Sequence, residues 1–552
     1  MPGINAIPQS ATSNGSSNLS PSTIRRSDPI PISNTHHSAR QPAASLTGGR
    51  VPRNQRSFSR TPRQHATGTT PTTPTTPAQS IVRTRAMSIG SRKAPLPIDF
   101  IIVGAGIAGL ATAFALAQSG HRVRIFEKRS GINQRAVGVR VPPNLCKILY
   151  EWGLQEELAT ATRCRKSAFH SIETGKVMGY LEWQEDVIQE TGGEFLLMHY
   201  EDLYKLLYRL ALSQGVAVHF NSHITSVSFD DEKELPSITL ADGSVQYADL
   251  LVGADGYHSV VREAVTGEPD RGTDSGNTFF SIVIPAEKMK ADPDWGKWLE
   301  ASEWPMWMGD NRVILAYPVR QNTAYCVHAY WPETCIRGGP DDNESWDRVA
   351  PTNAIDFGTA HTSIKRLFNM VPDALRTKYI VREIVEDWVD ETGSMVLIGE
   401  AAHSLMPCTI HNLSLAVEDA AVFGVLMSHL RSRNQIPQLL EAFQDLRYSR
   451  VQQVQQSELN NATLVCLPPG EFRDMRDAGM ALSLNPSTEP WDDARLREQW
   501  DEIGGVFGYN AREAAEDWWI KWGSLGDGTR GHAAHESFNL VFEVTEVAVS
   551  ED

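Results

Sequence analysis

Apolar runs of strand length alternate with helix-compatible stretches along most of the chain. The first, Ile98-Asp99-Phe100-Ile101-Ile102-Val103, is short and nearly all apolar, as expected of a strand covered on both faces. A helix-compatible stretch over 110–119 is closed by Gly120, and Val123-Arg124-Ile125-Phe126 gives a second strand. Buried-strand patterns recur far downstream, over 248–252 and over Met395-Val396-Leu397-Ile398, the latter followed by a helix beginning near Ser414. Between these, shorter β-rich runs alternate with turns: Ser281-Ile282-Val283-Ile284, Val313-Ile314-Leu315-Ala316-Tyr317 and Thr323-Ala324-Tyr325-Cys326-Val327. Residues 511–522 read as a helix with an aromatic face that packs back onto the body, and 541–552 as an acidic, strand-like end. Strands interleaved with helices predict an α/β fold.

Composition separates a tail from this body. Residues 1–94 are rich in Ser, Thr, Pro and Arg, with a Thr-Thr-Pro triplet repeated over 69–77, and cannot bury enough apolar surface to offset ordering entropy. Residues 1–98 hold twelve Lys/Arg against the single acid Asp28, a balance of +11. Since the whole chain is at -16, the body holds 39 bases against 66 acids, a balance of -27. An acidic body repels phosphate backbones, so a nucleic-acid partner is not expected. The tail's Arg/Ser bias also fits an organelle transit segment, although its scattered prolines spoil an amphipathic helix; otherwise the expected compartment is the cytoplasm. Six Cys without a Cys-x-x-Cys pair predict neither a disulfide framework nor a metal site. No membrane span is expected, because the one long apolar run, 101–117, contains three glycines. The sequence carries no signal for oligomeric state.

Those glycines carry the first chemistry. Gly104-Ala105-Gly106-Ile107-Ala108-Gly109 joins the first strand to the first helix, and Glu127 closes the second strand 23 residues after Gly104. Gly104 permits the turn, Gly106 lets the backbone approach a pyrophosphate, and Gly109 lets helix and strand pack closely. The helix N-terminus offers free N–H groups to phosphate, and Glu127 can bind a ribose. The βαβ context makes this a dinucleotide site; by itself it does not choose between FAD and NAD.

Two later segments do. Gly253-Ala254-Asp255-Gly256 opens 253–262, and Gly399-Glu400-Ala401-Ala402-His403 follows the strand at 395–398. Three strand-to-glycine turns in this order resemble the class A flavoprotein monooxygenases, the para-hydroxybenzoate and salicylate hydroxylases, and most closely the fungal secondary-metabolism type. Val137-Gly138-Val139-Arg140-Val141-Pro142-Pro143-Asn144 and Leu446-Arg447-Tyr448-Ser449-Arg450 belong to the same resemblance, which covers roughly 98–455. It implies a Rossmann-like FAD-binding domain with an interleaved β-sheet substrate domain and a C-terminal helical segment. The boundaries expected are a tail over 1–97, FAD-binding parts over 98–270 and 391–455, a substrate sheet over 271–390, and a mostly helical end over 456–552. The resemblance further implies NAD(P)H as a transient co-substrate, molecular oxygen, a flavin C4a-hydroperoxide as oxidant, and a small aromatic substrate. It places Gly104, Gly106, Gly109, Glu127, Arg140, Asp255, Gly256, Gly399, Glu400 and Leu413 around FAD.

Several positions depart from that pattern. Glu400 replaces an Asp, Ile410-His411-Asn412 replaces a Gly-Gln-Gly turn at the isoalloxazine, Tyr200 replaces a flavin-contacting cation, and Ser281 stands where an active-site Arg is common. Arg140, where a Gly is usual, supplies a compensating charge. His411 and Tyr317 are the candidate catalytic residues, His411 as a proton acceptor beside flavin and phenol or, when charged, a stabiliser of reduced flavin, against a packing role in which it only satisfies a backbone carbonyl. Trp295, Trp298, Trp304, Trp307 and Trp331 either roof a planar substrate or fill the core of the sheet. The competing readings are a weakened flavin-binding protein descended from such an enzyme, a flavin-dependent halogenase, and an NAD-dependent dehydrogenase. Trp304-Pro305-Met306-Trp307 does not match the halogenase Trp-x-Trp-x-Ile-Pro segment, and a dehydrogenase leaves 253–262 unexplained.

Overall fold

The computed structural model describes residues 92–132, 134–301, 303–337, 344–485 and 491–523; the tail to residue 91 and the end at 541–552 lie outside the described residues. Strand β1 (Asp99–Val103), helix α1 (Ile107–Gln118) and strand β2 (Arg122–Phe126) form the βαβ unit. α1 is almost wholly buried, in keeping with its lack of a polar face. Parallel pairing continues on both sides, in the order Met395–Leu397, Leu250–Gly253, β1, β2, Ala217–His219. Val103 lies opposite both Phe126 and Gly253, and Gly253 opposite Leu397. Three turns drawn from distant parts of the sequence therefore emerge together at the carboxyl edge of one sheet, where α/β folds bind ligands. The body starts a little before Ile98: Ala94 N–H bonds the Ser119 carbonyl at 2.8 Å, and Leu96 N–H bonds that of Leu430 at 3.0 Å.

A second sheet of eight strands lies beyond, in the order Val349–Pro351, Asp373–Val381, Thr273–Pro285, Ala324–Pro332, Arg312–Val319, Glu303–Gly309, Lys166–Ser171, Val177–Glu182. Here β4 is Arg312–Val319 and β5 is Ala324–Pro332, both buried along nearly their whole length. The sheet thus takes strands from both sides of residue 271. One face joins the main core. The other covers a separate core containing Trp295, Trp307, Trp331, Ile314 and Val327. That placement answers the roof question for most of the tryptophans, which fill the sheet's far side; Trp304 alone of the five belongs to the main core. The short strand β3 (Gly138–Val141) pairs with Leu196–His199 and passes beneath β4 and β5.

Helix α2 (Asn412–Met427) begins two residues before the expected Ser414 and lies against α1, and helix α3 (Ile436–Val465) packs on α2. At the C-terminal end, Trp519 stacks on His429 at 4.1 Å, so the helix over Ala511–Trp518 does pack back onto the body. Among the described residues no helix is long and apolar enough to cross a membrane.

Candidate functional site

A cavity of about 440 Å³ opens at the carboxyl edge of the parallel sheet. Of the residues expected around a dinucleotide, Gly104, Gly106, Glu127, Arg140, Asp255, Gly256, Glu400 and Leu413 line it. Gly109 and Gly399 lie behind its wall: a Cβ on Gly109 would sit 2.0 Å from the Gly104 carbonyl oxygen, and one on Gly399 2.8 Å from the Ala108 Cβ. Gly104 turns at φ 99, a conformation that side chains disfavour. A Cβ on Gly106 would meet nothing within 4 Å, so the space beside the N-terminus of α1 is open to a ligand.

The carboxylates are fixed by backbone donors. Glu127 accepts the N–H groups of Ala105 and Arg129, each at 2.8 Å. Asp255 accepts the Ser259 hydroxyl at 2.5 Å and the Val260 N–H at 2.8 Å, while burial pushes its carboxyl up from the usual range. Glu400 accepts from the Asn412 side-chain amide at 3.0 Å.

Beneath Gly399 and Glu400 sits a buried ionic network. Asp419 accepts the Gly399 N–H at 2.9 Å and pairs with His403 and Arg447, each at 2.7 Å. Burial would raise the Asp419 carboxyl, but His403 and Arg447 pull it down to about 2. Neighbouring Glu418 meets Arg447 at 2.9 Å, Arg450 at 3.2 Å and the Asn144 amide at 2.7 Å. Charges in the otherwise apolar α2 are the sequence signal for such a network, since buried charges need partners.

Neither candidate catalytic residue lies on the cavity wall. The His411 ring stacks on Phe507 at 5.5 Å, and its Nδ1 meets Glu458 at 2.7 Å, so it faces α3. Tyr317 is fully buried on β4, its phenol raised well above the usual range by burial. The partner of the His411 ring in this structure is thus the Glu458 carboxylate on α3. Tyr200, standing where a cation was expected, is buried with the Arg135 guanidinium 5.5 Å over its ring; the other face of the stack is Trp346, at 5.1 Å from the same guanidinium. Arg135 and Trp346 both line the cavity and were not anticipated, because 211 residues separate them and neither has a local motif. Ser281 hydrogen-bonds the Ala136 carbonyl at 3.3 Å.

Three glycine turns meeting at one sheet edge define a dinucleotide-binding protein of the α/β class. The chain matches the FAD binding domain family over residues 98–458. It is 30% identical over 378 residues to the FAD-dependent monooxygenase cfoG of Aspergillus candidus, covering 65% of this chain and 84% of that one. It is 28% identical over 402 residues to 3-amino-4-hydroxybenzoate 2-monooxygenase PtmB3 of Streptomyces platensis, covering 71% and 93%. The crystal structure of CtdE in complex with FAD and a substrate has the same fold, with a TM-score of 0.64 at 19% identity, over 78% of this chain and 100% of that one. The chain belongs to the FAD binding domain family and is an FAD-dependent monooxygenase of the class A type.

Proposed function

We propose that the protein oxidises a small aromatic molecule, consuming NAD(P)H and molecular oxygen. The observation that carries this reading is the course of the cavity, from Glu127 and Gly106 at the sheet edge to Arg140 and Leu413 at the approach to the second sheet. Relatives named as hydroxybenzoate monooxygenases support the aromatic substrate class.

In this reading the 98–270 and 391–455 segments hold FAD and the 271–390 segment covers the substrate. Gly104 and Gly106 bring the backbone to the pyrophosphate, with Gly109 packing the turn. Glu127 binds the adenosine ribose. Asp255, Gly256, Gly399 and Glu400 take the pyrophosphate and ribityl chain, and the N-terminus of α2 at Asn412 and Leu413 faces the ring system. When bound, FAD reduced by a nicotinamide supplies the activated oxygen; the hard chemistry belongs to the cofactor. The chain positions the aromatic ring, excludes water and holds charge near the reacting atoms. Buried Tyr317 and His411 act as supports of the wall rather than as proton acceptors.

The purified protein's absorbance spectrum, followed by NADPH and NADH oxidation with a panel of phenols, tests the reading. A flavin spectrum with phenol-stimulated oxidation and a hydroxylated product is expected. A bound flavin with no stimulated turnover by any phenol, or product formation without oxygen uptake, overturns it.

A further inference from the structure

Four consecutive residues from the substrate-covering portion, Glu344-Ser345-Trp346-Asp347, line the cavity. They are tied to both of its walls. One wall continues from strand Leu250–Gly253: there the Tyr257 hydroxyl donates to the Glu344 carbonyl at 2.8 Å, and the His258 ring lies 3.3 Å from the same oxygen. The other wall continues from β2: there Arg129 pairs with Asp347 at 2.6 Å, and the Arg135 guanidinium sits 5.1 Å over the Trp346 ring. These two strands flank β1 on opposite sides. Neighbouring strands are about 4.8 Å apart, so the walls stand about 10 Å apart. The three residue steps from Glu344 to Asp347 reach at most about 11 Å. A segment that short, bound to both walls, crosses the mouth above the turn that follows β1.

The attachments differ in strength. The Glu344 carboxylate takes both terminal nitrogens of Arg382, at 2.6 and 2.7 Å, and the two side chains are 11% and 6% exposed. Just past the crossing, the Arg348 carbonyl accepts the Arg376 N–H at 2.9 Å, which ties the segment to the second sheet. The Arg129–Asp347 pair is open to water, with Asp347 59% exposed, and such a pair is weak and screened by salt. Trp346 adds the cation–ring contact with Arg135 and an edge contact with Phe279 at 5.7 Å. Both ends of the segment are therefore fixed, and the Trp346 and Asp347 side chains are the part that yields.

We propose that 344–347 is a strap closed over the FAD-binding cavity, whose Trp346 and Asp347 must release Arg135 and Arg129 each time FAD enters or leaves. This rests on the FAD placement given above and goes beyond it. The dinucleotide fold supplies affinity, whereas a segment of the substrate-covering portion sets the rate of cofactor exchange. Entry and exit share one barrier, so opening the strap speeds both.

Stopped-flow flavin fluorescence on the full chain tests this, with FAD uptake by the stripped protein and FAD release from the loaded protein measured separately. Asp347→Asn is expected to accelerate both by about two- to fivefold, the scale of one exposed ion pair. Arg129→Gln opens the same pair from the other side and should act alike. Both wild-type rates should also rise with sodium chloride more steeply than those of Asp347→Asn. As a control, Asp294→Asn removes a pair with Arg366 that is as open to water, Asp294 being 62% exposed, beside Trp295 in the far core; it should leave both rates at parent values. Parent rates in both cavity variants make the segment a passive wall and overturn the proposal. Faster release with unchanged uptake overturns it too, since Asp347 then only touches bound FAD. So does faster uptake with slower release, the signature of plain repulsion between Asp347 and the anionic cofactor. A wild type that takes up no FAD sinks instead the cofactor placement on which the strap rests.

Discussion

Asp419 on α2 and Gly399 in the turn after Met395–Leu397 are joined by a 2.9 Å hydrogen bond from the Gly399 N–H to the buried carboxylate. The carboxylate that orients this turn is itself oriented by His403 and Arg447. Ion pairing deep in the core thus sets where Glu400 stands in the cavity.

Arg447→Met leaves Asp419 and Glu418 buried with a missing partner. Breaking a buried pair in this way costs about 3–5 kcal/mol. Urea unfolding monitored by tryptophan fluorescence should show that loss, together with weaker FAD retention in the folded fraction. A variant as stable as the parent would mean that water reaches the network.

Acid should destabilise the fold in two stages. Burial holds His121 and His199 neutral, each with its imidazole lowered to about 4. Their folded values lie below the unfolded 6.5, so between these limits the unfolded chain binds more protons than the native one. Stability is full above about pH 6.5 and falls as pH drops toward 4. Asp419 adds a second loss, beginning near its unfolded value of 3.8 and continuing as pH falls through about 2. Urea midpoints that stay flat from about pH 7 to pH 4.5 would contradict the first stage.

Two glycines of one motif should fail differently. Gly106→Val places its side chain in open space, so the protein should fold with near-parent stability and purify without FAD. Gly109→Val drives a Cβ into the Gly104 carbonyl oxygen and should cost folding itself. A yellow Gly106→Val protein with full occupancy would misplace the cofactor.

His411→Gln should keep FAD and lower turnover by less than tenfold, against the roughly 10²–10⁴ lost with a general base or acid. Its rate profile from about pH 6 to pH 9 should run parallel to that of the parent. A flattened profile would return the ring to the cavity.

The βαβ unit was legible because everything that makes it is local: an apolar strand run, glycines at fixed offsets, and Glu127 at the next strand's end. The downstream turns at Gly253 and Gly399 were legible for the same reason. What decides His411 is not local. Glu458, on another helix, captures its ring, and nothing in the 410–412 turn announces that. Arg135 and Trp346 meet only because the folded chain brings the 344–347 segment to the cavity rim. The place of the local hairpin Lys166–Ser171 and Val177–Glu182 in the second sheet was also hidden, since the pairing of Lys166–Ser171 with Glu303–Gly309, more than a hundred residues on, leaves no mark on either strand's composition.

Those two strands have a consequence for how the protein is made. The second sheet is finished at one end by chain synthesised long before its centre, and the parallel sheet is finished by Met395–Leu397, synthesised after that centre. Each sheet thus waits on the other during translation, and a nascent chain halted near residue 300 holds an incomplete version of both. Exchange of the substrate-covering portion between relatives would have to carry 166–182 along with 273–381, or the graft arrives with an open edge.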